Sequence, residues 1–427
     1  MTNSSRTGLF SQHGRVLLEI GVASGIGIVA SAGFQIAATR GLGPESFGLL
    51  AAFLALINIA AIGSSALRNS VAVAMAQSRS QSTSTSTSQF VSANAPRPLL
   101  DSSMIEALVL GIVFTAGLLI AAPWLASTMQ SNVVALALTA ATVTPYFLFA
   151  RAQGLLQGVG NSRAVVWWST GAQIAQLVLT LVALLLGYDA VGILIVFLLT
   201  VVIGTIGATF HSRNFAITAV RRPFSINSTV VLLLTITFAW ITNIDVVLVR
   251  SGTSELVAGS FAAAAVLVKT TLILPATLSL YLLPRFVSNR GNHKLTKLGV
   301  NLTLAVTFGG GLVIYVVLLF AGDLIVSILF GKGYELTADF LPALALMWLP
   351  WAMTQAVLVR VTSIASKVGL AVLLLAAFAQ WFGATVLLPD VTAMIVLNGS
   401  LGVAALFALF AIHLNAVRRD RKREAAV

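Results

Sequence analysis

The chain is 427 residues long, 58% hydrophobic and only 9% charged, where soluble domains carry about 25% charge. That composition excludes a single soluble globule and points to one membrane domain. The net charge of +12 would suit nucleic acid, but the basic residues are distributed as membrane topology requires, and no nucleic-acid partner is expected. With no cysteine in the chain, disulfides, thiolate metal sites and cysteine nucleophiles are excluded. His13, His211, His293 and His413 all fall in or beside connections, so no metal or cofactor is expected within the membrane.

Twelve apolar segments follow in order: 16–39, 46–70, 104–125, 132–157, 164–186, 190–210, 228–250, 255–284, 297–320, 337–362, 367–388 and 391–414. Each is near the ~20 residues needed to cross a hydrocarbon core of ~30 Å. The first follows basic residues as a signal peptide does, but it is too long for one and leads straight into another span. The expected fold is an all-α polytopic membrane protein of about 12 transmembrane helices. Residues 1–15 form the N-terminus, 16–212 and 228–414 two six-helix lobes, 213–227 a basic linker and 415–427 a basic tail that also suits anionic lipid headgroups. Within the first lobe, the Ser/Thr-rich stretch 77–100 is too polar to bury anything and reads as a disordered loop.

Of the 25 lysines and arginines, 21 lie at the N-terminus, in every second connection and in the tail. They begin with Arg6, Arg15, Arg68, Arg79, Arg97, Arg151 and Arg163 and end with Arg418, Arg419, Arg421, Lys422 and Arg423. The intervening connections hold only Arg40, Arg250 and Lys332 beside seven acids. Cationic loops stay in the cytoplasm, so both termini are expected there. Lys269 alone falls in mid-span.

The connection after the first segment, RGLGPESFGLLAAFLALIN (40–58), lies over the one after the seventh, RSGTSELVAGSFAAAAVLVK (250–269). Gly48 then meets Gly259, and Asn58 meets Lys269. PYFLFA at Pro145 likewise matches PWAMTQ at Pro350. Six spans separate the members of each pair, so the lobes form a parallel repeat, related by an axis along the membrane normal.

The stretches 38–72 (ATRGLGPESFGLLAAFLALINIAAIGSSALRNSVA), 243–286 (beginning NIDVVLVRSGTSELVAG), 324–353 (LIVSILFGKGYELTADFLPALALMWLPWAM) and 151–165 (RAQGLLQGVGNSRAV) resemble the oligosaccharide flippases of the multidrug/oligosaccharidyl-lipid/polysaccharide exporter superfamily. The resemblance implies two six-helix lobes around a cavity that opens alternately to either side. It also implies an undecaprenyl-pyrophosphate-linked glycan as substrate, moved from the inner to the outer leaflet of a bacterial cytoplasmic membrane for surface polysaccharide. A polysaccharide polymerase or glycosyltransferases are the partners it suggests. The lipid II flippases of the same superfamily typically have fourteen spans. No phosphate-binding loop of the GxxxxGK[ST] type occurs in the chain, so an ion gradient, the membrane potential or substrate supply must drive the cycle. The chain is expected to be a transporter, not an enzyme.

A pyrophosphate in a low-dielectric cavity needs fixed cations, and Lys269 is the first candidate. A lysine at the bilayer centre costs about 3 kcal/mol on insertion scales, so it should face water, a partner or substrate. The bland alternative is an ion pair with Asp245, but helix rise places Asp245 roughly 8 Å below the outer helix ends and Lys269 about 15 to 21 Å. Asp245 is itself a candidate for ion coupling, or else a partner for Arg250. Arg40 and Arg250 could receive the pyrophosphate at the outer ends, and Arg151 could attract it at the inner side. All three read equally well as interfacial anchors, as do Arg68, Arg285 and Arg360. Asn58, Gln35 and Gln355, with Gln173, Gln176 and Asn398, could hydrogen-bond sugars or simply join helices. Pro145, Pro275, Pro284 and Pro350 mark helix kinks.

A multidrug antiporter of the same superfamily is the nearest alternative, followed by a non-transporting scaffold for polysaccharide assembly. Cation export would want an acid-rich interior, and the acids read within the spans are Asp245 and, at an edge, Glu19.

Overall fold

The computed structural model describes residues 4–84, 101–215, 226–272 and 293–424. They are helical apart from short turns: α1 (Ser4–Ser84), α2 (Ser102–Thr128), α3 (Val133–Gly158), α4 (Ser162–Leu185), α5 (Ala190–Ser212), α6 (Ile226–Gly252), α7 (Glu255–Val268), a 3₁₀ turn (Lys269–Leu272), α8 (His293–Leu329), α9 (Glu335–Ser363), α10 (Lys367–Leu387) and α11 (Val391–Glu424). All eleven numbered helices have a counterpart among the stretches long and apolar enough to cross a membrane, the α7 stretch reaching Leu272.

Helix α1, which covers the first two of the twelve expected segments, is two helices joined at Gly43. Its backbone there takes φ 71° and ψ 171°, a region that only glycine occupies readily. Pro44 follows at the first position of the next helix, where its missing N–H costs nothing. Elsewhere the turns are short and end in capping residues. Asn132, Asn161, Asp189, Ser254 and Ser366 each accept a hydrogen bond from a backbone N–H in the first turn of α3, α4, α5, α7 and α10, satisfying donors that the helix leaves orphaned.

Three expected boundaries change. Helix α1 continues to Ser84, so 77–84 of the tract expected to be disordered are helical, and 85–100 lie outside the described residues. The eighth span leaves α-geometry at Lys269; its continuation, with Pro275, Pro284 and Arg285, lies outside them too, as do 216–225 of the basic linker. Helix α11 carries the basic tail to Glu424.

Two compact units emerge. The first comprises residues up to 41, 60–126 and 132–224; the second comprises 42–59, 127–131 and 225 onward. Both units are discontinuous in sequence, 42–59 and 127–131 counting with the second.

In the first unit, α3 is the axle. Val143, Phe147 and Leu155 of α3 are buried against Ala60, Leu67, Val71 and Met75 of α1 and Ala107 of α2. Helix α2 is tied to α3 by an ionic staple. Asp101 accepts from the Met104 N–H at 2.8 Å and the Ser103 hydroxyl at 2.7 Å, and Arg151 lies 3.2 Å away. Burial pushes the Asp101 carboxyl up, but the Ser103 hydroxyl, the Arg151 charge and the Met104 N–H together hold it below the usual carboxylate range. A depressed carboxylate stabilises the fold above its unfolded pKa of about 4 and loses that contribution as pH falls through the folded value. Thermal unfolding at pH 7 and pH 3 should therefore show a lower Tm for Asp101→Asn at pH 7 and a smaller pH-dependent drop than in the unaltered chain. Equal drops would mean that the staple carries no stability.

In the second unit, α9 is central. Its Trp348 and Trp351 are fully buried, and it packs against α6, α7, α8 and α11. The two glycines aligned by the repeat meet here: a Cβ on Gly48 would come 2.8 Å from the Gly259 Cα, and one on Gly259 would strike the Pro44 carbonyl. Small residues let membrane helices approach this closely. Outward faces are apolar, with Ile120, Leu185, Phe320 and Phe378 among the exposed side chains, as expected of helices solvated by lipid.

Candidate functional site

Within the first unit, four helices enclose a cavity of about 200 Å³. Each contributes one stripe at helical spacing. Ala61, Ser64, Ser65 and Arg68 come from α1, and Tyr146, Phe149, Ala150 and Gln153 from α3. Ser169, Ala172, Gln173 and Gln176 come from α4, and Thr200, Val201 and Gly204 from α5. The i, i+3, i+4, i+7 pattern places each of the first three sets on one helix face.

Several of these hydroxyls are already engaged. Ser64 and Ser65 donate to their own helix carbonyls at 2.7 Å, and Gln153 Nε2 donates to Ser169 Oγ at 2.7 Å. Gln173 and Gln176 carry no hydrogen bond among the described residues, and a methyl group at Gly27 would strike the Gln173 side chain. Arg68 is the lining's one charge, and no acid lines the cavity. Its Nε is buried without a hydrogen-bond partner, and no ion pair forms to it among the described residues. Gly154 lets α3 approach: a Cβ there would lie 2.6 Å from the Arg68 carbonyl. Tyr146 stacks on Phe197 with ring centroids 6.2 Å apart.

The second unit holds a different polar site. Lys269 Nζ lies 2.8 Å from Asp245 Oδ1, with the lysine side chain 18% exposed and the aspartate 0%. The same ammonium sits 4.8 Å from the centre of the Trp348 ring, and Asp245 Oδ2 is buried without a hydrogen-bond partner. The depths reckoned from sequence argued against this pair, yet it is direct. Side chains lean toward the N-terminus of their helix, which for α7 is the turn joining it to α6. Lys269 thus reaches back along α7 toward Asp245 and closes the gap. Asp245 does not pair with Arg250.

The remaining candidates separate. Arg250 is 5% exposed: it pairs with Glu255 at 2.6 Å and donates to the Met129 and Glu45 carbonyls at 3.3 and 3.4 Å. It is a buried tie, not an interfacial side chain that snorkels. Arg151 is likewise engaged, by Asp101 and by Ser103 at 3.0 Å. Arg40 and Asn58 are exposed, and Gln35 and Gln355 are half-buried; the Gln355 side-chain oxygen is buried without a partner. Among the described residues no hydrogen bond joins Asn58 to Lys269. Gln380 and Asn398 bond each other at 3.2 Å, and Gln380 donates to the Ile241 carbonyl, which joins α6, α10 and α11.

Sequence reasoning took Arg68 for an anchor and left Tyr146 and Gln153 aside. Their signal was the polar stripe on otherwise apolar helices, legible only once four such stripes are known to converge.

The all-helical arrangement is similar to that of several solved membrane proteins. No protein-family model matches the chain, and no curated protein matches it. Among solved structures, it is similar to an inward-facing multidrug resistance MATE-family transporter of the MOP superfamily, with a TM-score of 0.68, 13% identity and coverage of 95% of this chain and 99% of that one. It is also similar to the lipid II flippase MurJ in an inward closed conformation, with a TM-score of 0.58, 14% identity and coverage of 92% and 87%. A third similar structure is a MOP-superfamily transporter from Pyrococcus furiosus, described as having a binding pocket of reversed polarity, with a TM-score of 0.56, 13% identity and coverage of 95% and 96%. At these identities the likeness establishes the fold.

Proposed function

We propose that this protein is a flippase, carrying a polyprenyl-pyrophosphate-linked oligosaccharide from the inner to the outer leaflet of a bacterial cytoplasmic membrane by alternating access. Both termini lie in the cytoplasm, as the distribution of basic residues requires, and the glycan feeds surface polysaccharide assembly. The observation that carries this reading is the first unit's cavity, where amides, hydroxyls and aromatic rings surround one arginine and no acid. Such a lining stabilises an anion and hydrogen-bonds hydroxyls, and it repels an organic cation.

Multidrug antiport is the second reading. The likeness to MATE-family transporters favours it, as does the buried carboxylate of Asp245. Lys269 already neutralises that carboxylate at 2.8 Å, which leaves no free negative charge there to attract a cationic drug.

The experiment is to deplete the protein in its host and follow lipid-linked glycans by mass spectrometry, with an impermeant probe reporting the leaflet. Accumulation of one polyprenyl-pyrophosphate glycan on the inner leaflet is the expected result, and it names the cargo. Unchanged glycans together with sensitivity to cationic dyes would transfer the assignment to antiport.

A further inference from the structure

The charge count in the first unit limits what its cavity can hold. Five of its arginines have described side chains, and four of them lie outside the cavity lining: Arg151 and Arg163 are ion-paired with Asp101 and Glu19, and Arg40 and Arg213 are exposed. Arg68 remains, with its Nε buried and unpartnered. A pyrophosphate diester carries two negative charges at neutral pH. One guanidinium would leave the second uncompensated between apolar helices, where an unpaired charge is costly. A single carboxylate matches it, and the guanidinium fork binds carboxylate in bidentate fashion.

Size and lining point the same way. The cavity is about 200 Å³, below the ~300–1,000 Å³ of sites that enclose drug-sized ligands, so it takes one sugar ring rather than a whole glycan. Gln173 and Gln176 each offer both donor and acceptor atoms, as adjacent sugar hydroxyls require, while Tyr146 and Phe149 present rings to the sugar's C–H faces.

We infer that the first unit's cavity is a subsite for one acidic sugar residue of the transported glycan, with Arg68 binding its carboxylate and Gln173 and Gln176 reading its hydroxyls. The inference rests on the flippase reading and narrows it. The cargo contains an acidic sugar, and its pyrophosphate is held outside this cavity. The enzymes that supply the substrate must therefore include one that transfers a uronic acid-type residue.

The test uses the purified full chain in lipid nanodiscs and three short-chain prenyl-diphosphate probes, bearing glucuronic acid, glucuronic acid methyl ester or glucose. The unaltered protein should bind the glucuronic acid probe at least tenfold more tightly than the other two. Arg68→Gln should abolish that preference, the glucuronic acid probe losing at least tenfold more affinity than the glucose probe. The methyl ester removes the charge without touching the protein, so the comparison survives even if the variant folds poorly. Equal binding of all three probes by the unaltered protein, or an equal loss of all three in Arg68→Gln, overturns the inference, because the diphosphate would then be the group recognised; the flippase reading stands in that case. Binding of none of them, with binding of a cationic dye, would overturn both.

Discussion

Lys269→Met should cost the second unit about 3–5 kcal/mol, and the double variant Asp245→Asn/Lys269→Met should recover most of it. A buried ion pair is worth little against an apolar pair of similar volume, but removing one partner strands the other. Asp245 is 0% exposed, and among the described residues no other cation pairs with it in place of the ammonium at 2.8 Å. The variant also loses the contact with the Trp348 ring, which adds about 0.5–2 kcal/mol in a desolvated setting. In the double variant no charge is left behind, and Asp245 Oδ2, already lacking a hydrogen-bond partner, ceases to be a buried charged acceptor. Thermal unfolding in detergent should thus rank the unaltered chain and the double variant together, with Lys269→Met well below. If Lys269→Met instead unfolds like the unaltered chain and loses only transport, the lysine serves substrate and not Asp245. That outcome would restore the role its mid-span position first suggested.

Position along a helix is legible in a membrane sequence, and position around the bundle is not. Apolar length gives the crossings, the GLGP turn gives the break at Gly43, and the aligned pair Gly48 and Gly259 proves to be a contact. Those signals are local or periodic. Asp245 was weighed as a partner for Lys269 and for Arg250, and Arg151 was read as an anchor or an attractor of the head group, because sequence gives only their depth, whereas pairing depends on which helices are neighbours and which way side chains lean. Arg151 shows this well. Its partner Asp101 opens α2 as an N-cap, 50 positions away in sequence, and an Asp-x-Ser at a helix start signals a cap without naming the arginine it will meet. Arg68 failed in the opposite direction. Its depth near the end of a span suits an anchor, and only the convergence of stripes from α1, α3, α4 and α5 places it in a cavity.

Replacing Gln173 by Glu should depress flipping of an anionic glycan by about a hundredfold while leaving the fold intact. Gln173 and Arg68 line the same cavity, whose walls carry no acid. A carboxylate at Gln173 supplies Arg68 with an internal counter-ion and confronts an incoming anion with a like charge, a juxtaposition that costs several kcal/mol in a desolvated site; about 2.7 kcal/mol already corresponds to a hundredfold loss. The side chain is nearly isosteric, so the seat against Gly27 is preserved, and the new ion pair makes a destabilised fold the less expected outcome. Unfolding temperature and glycan flipping in proteoliposomes should therefore diverge, the first holding or rising while the second falls. Efflux of a cationic dye provides the converse reading, since an acid in the cavity is what a cation carrier would need. A Gln173→Glu variant that flips glycan normally would show that the substrate does not pass the first unit's cavity, and the anion-binding role of Arg68 would fall with it.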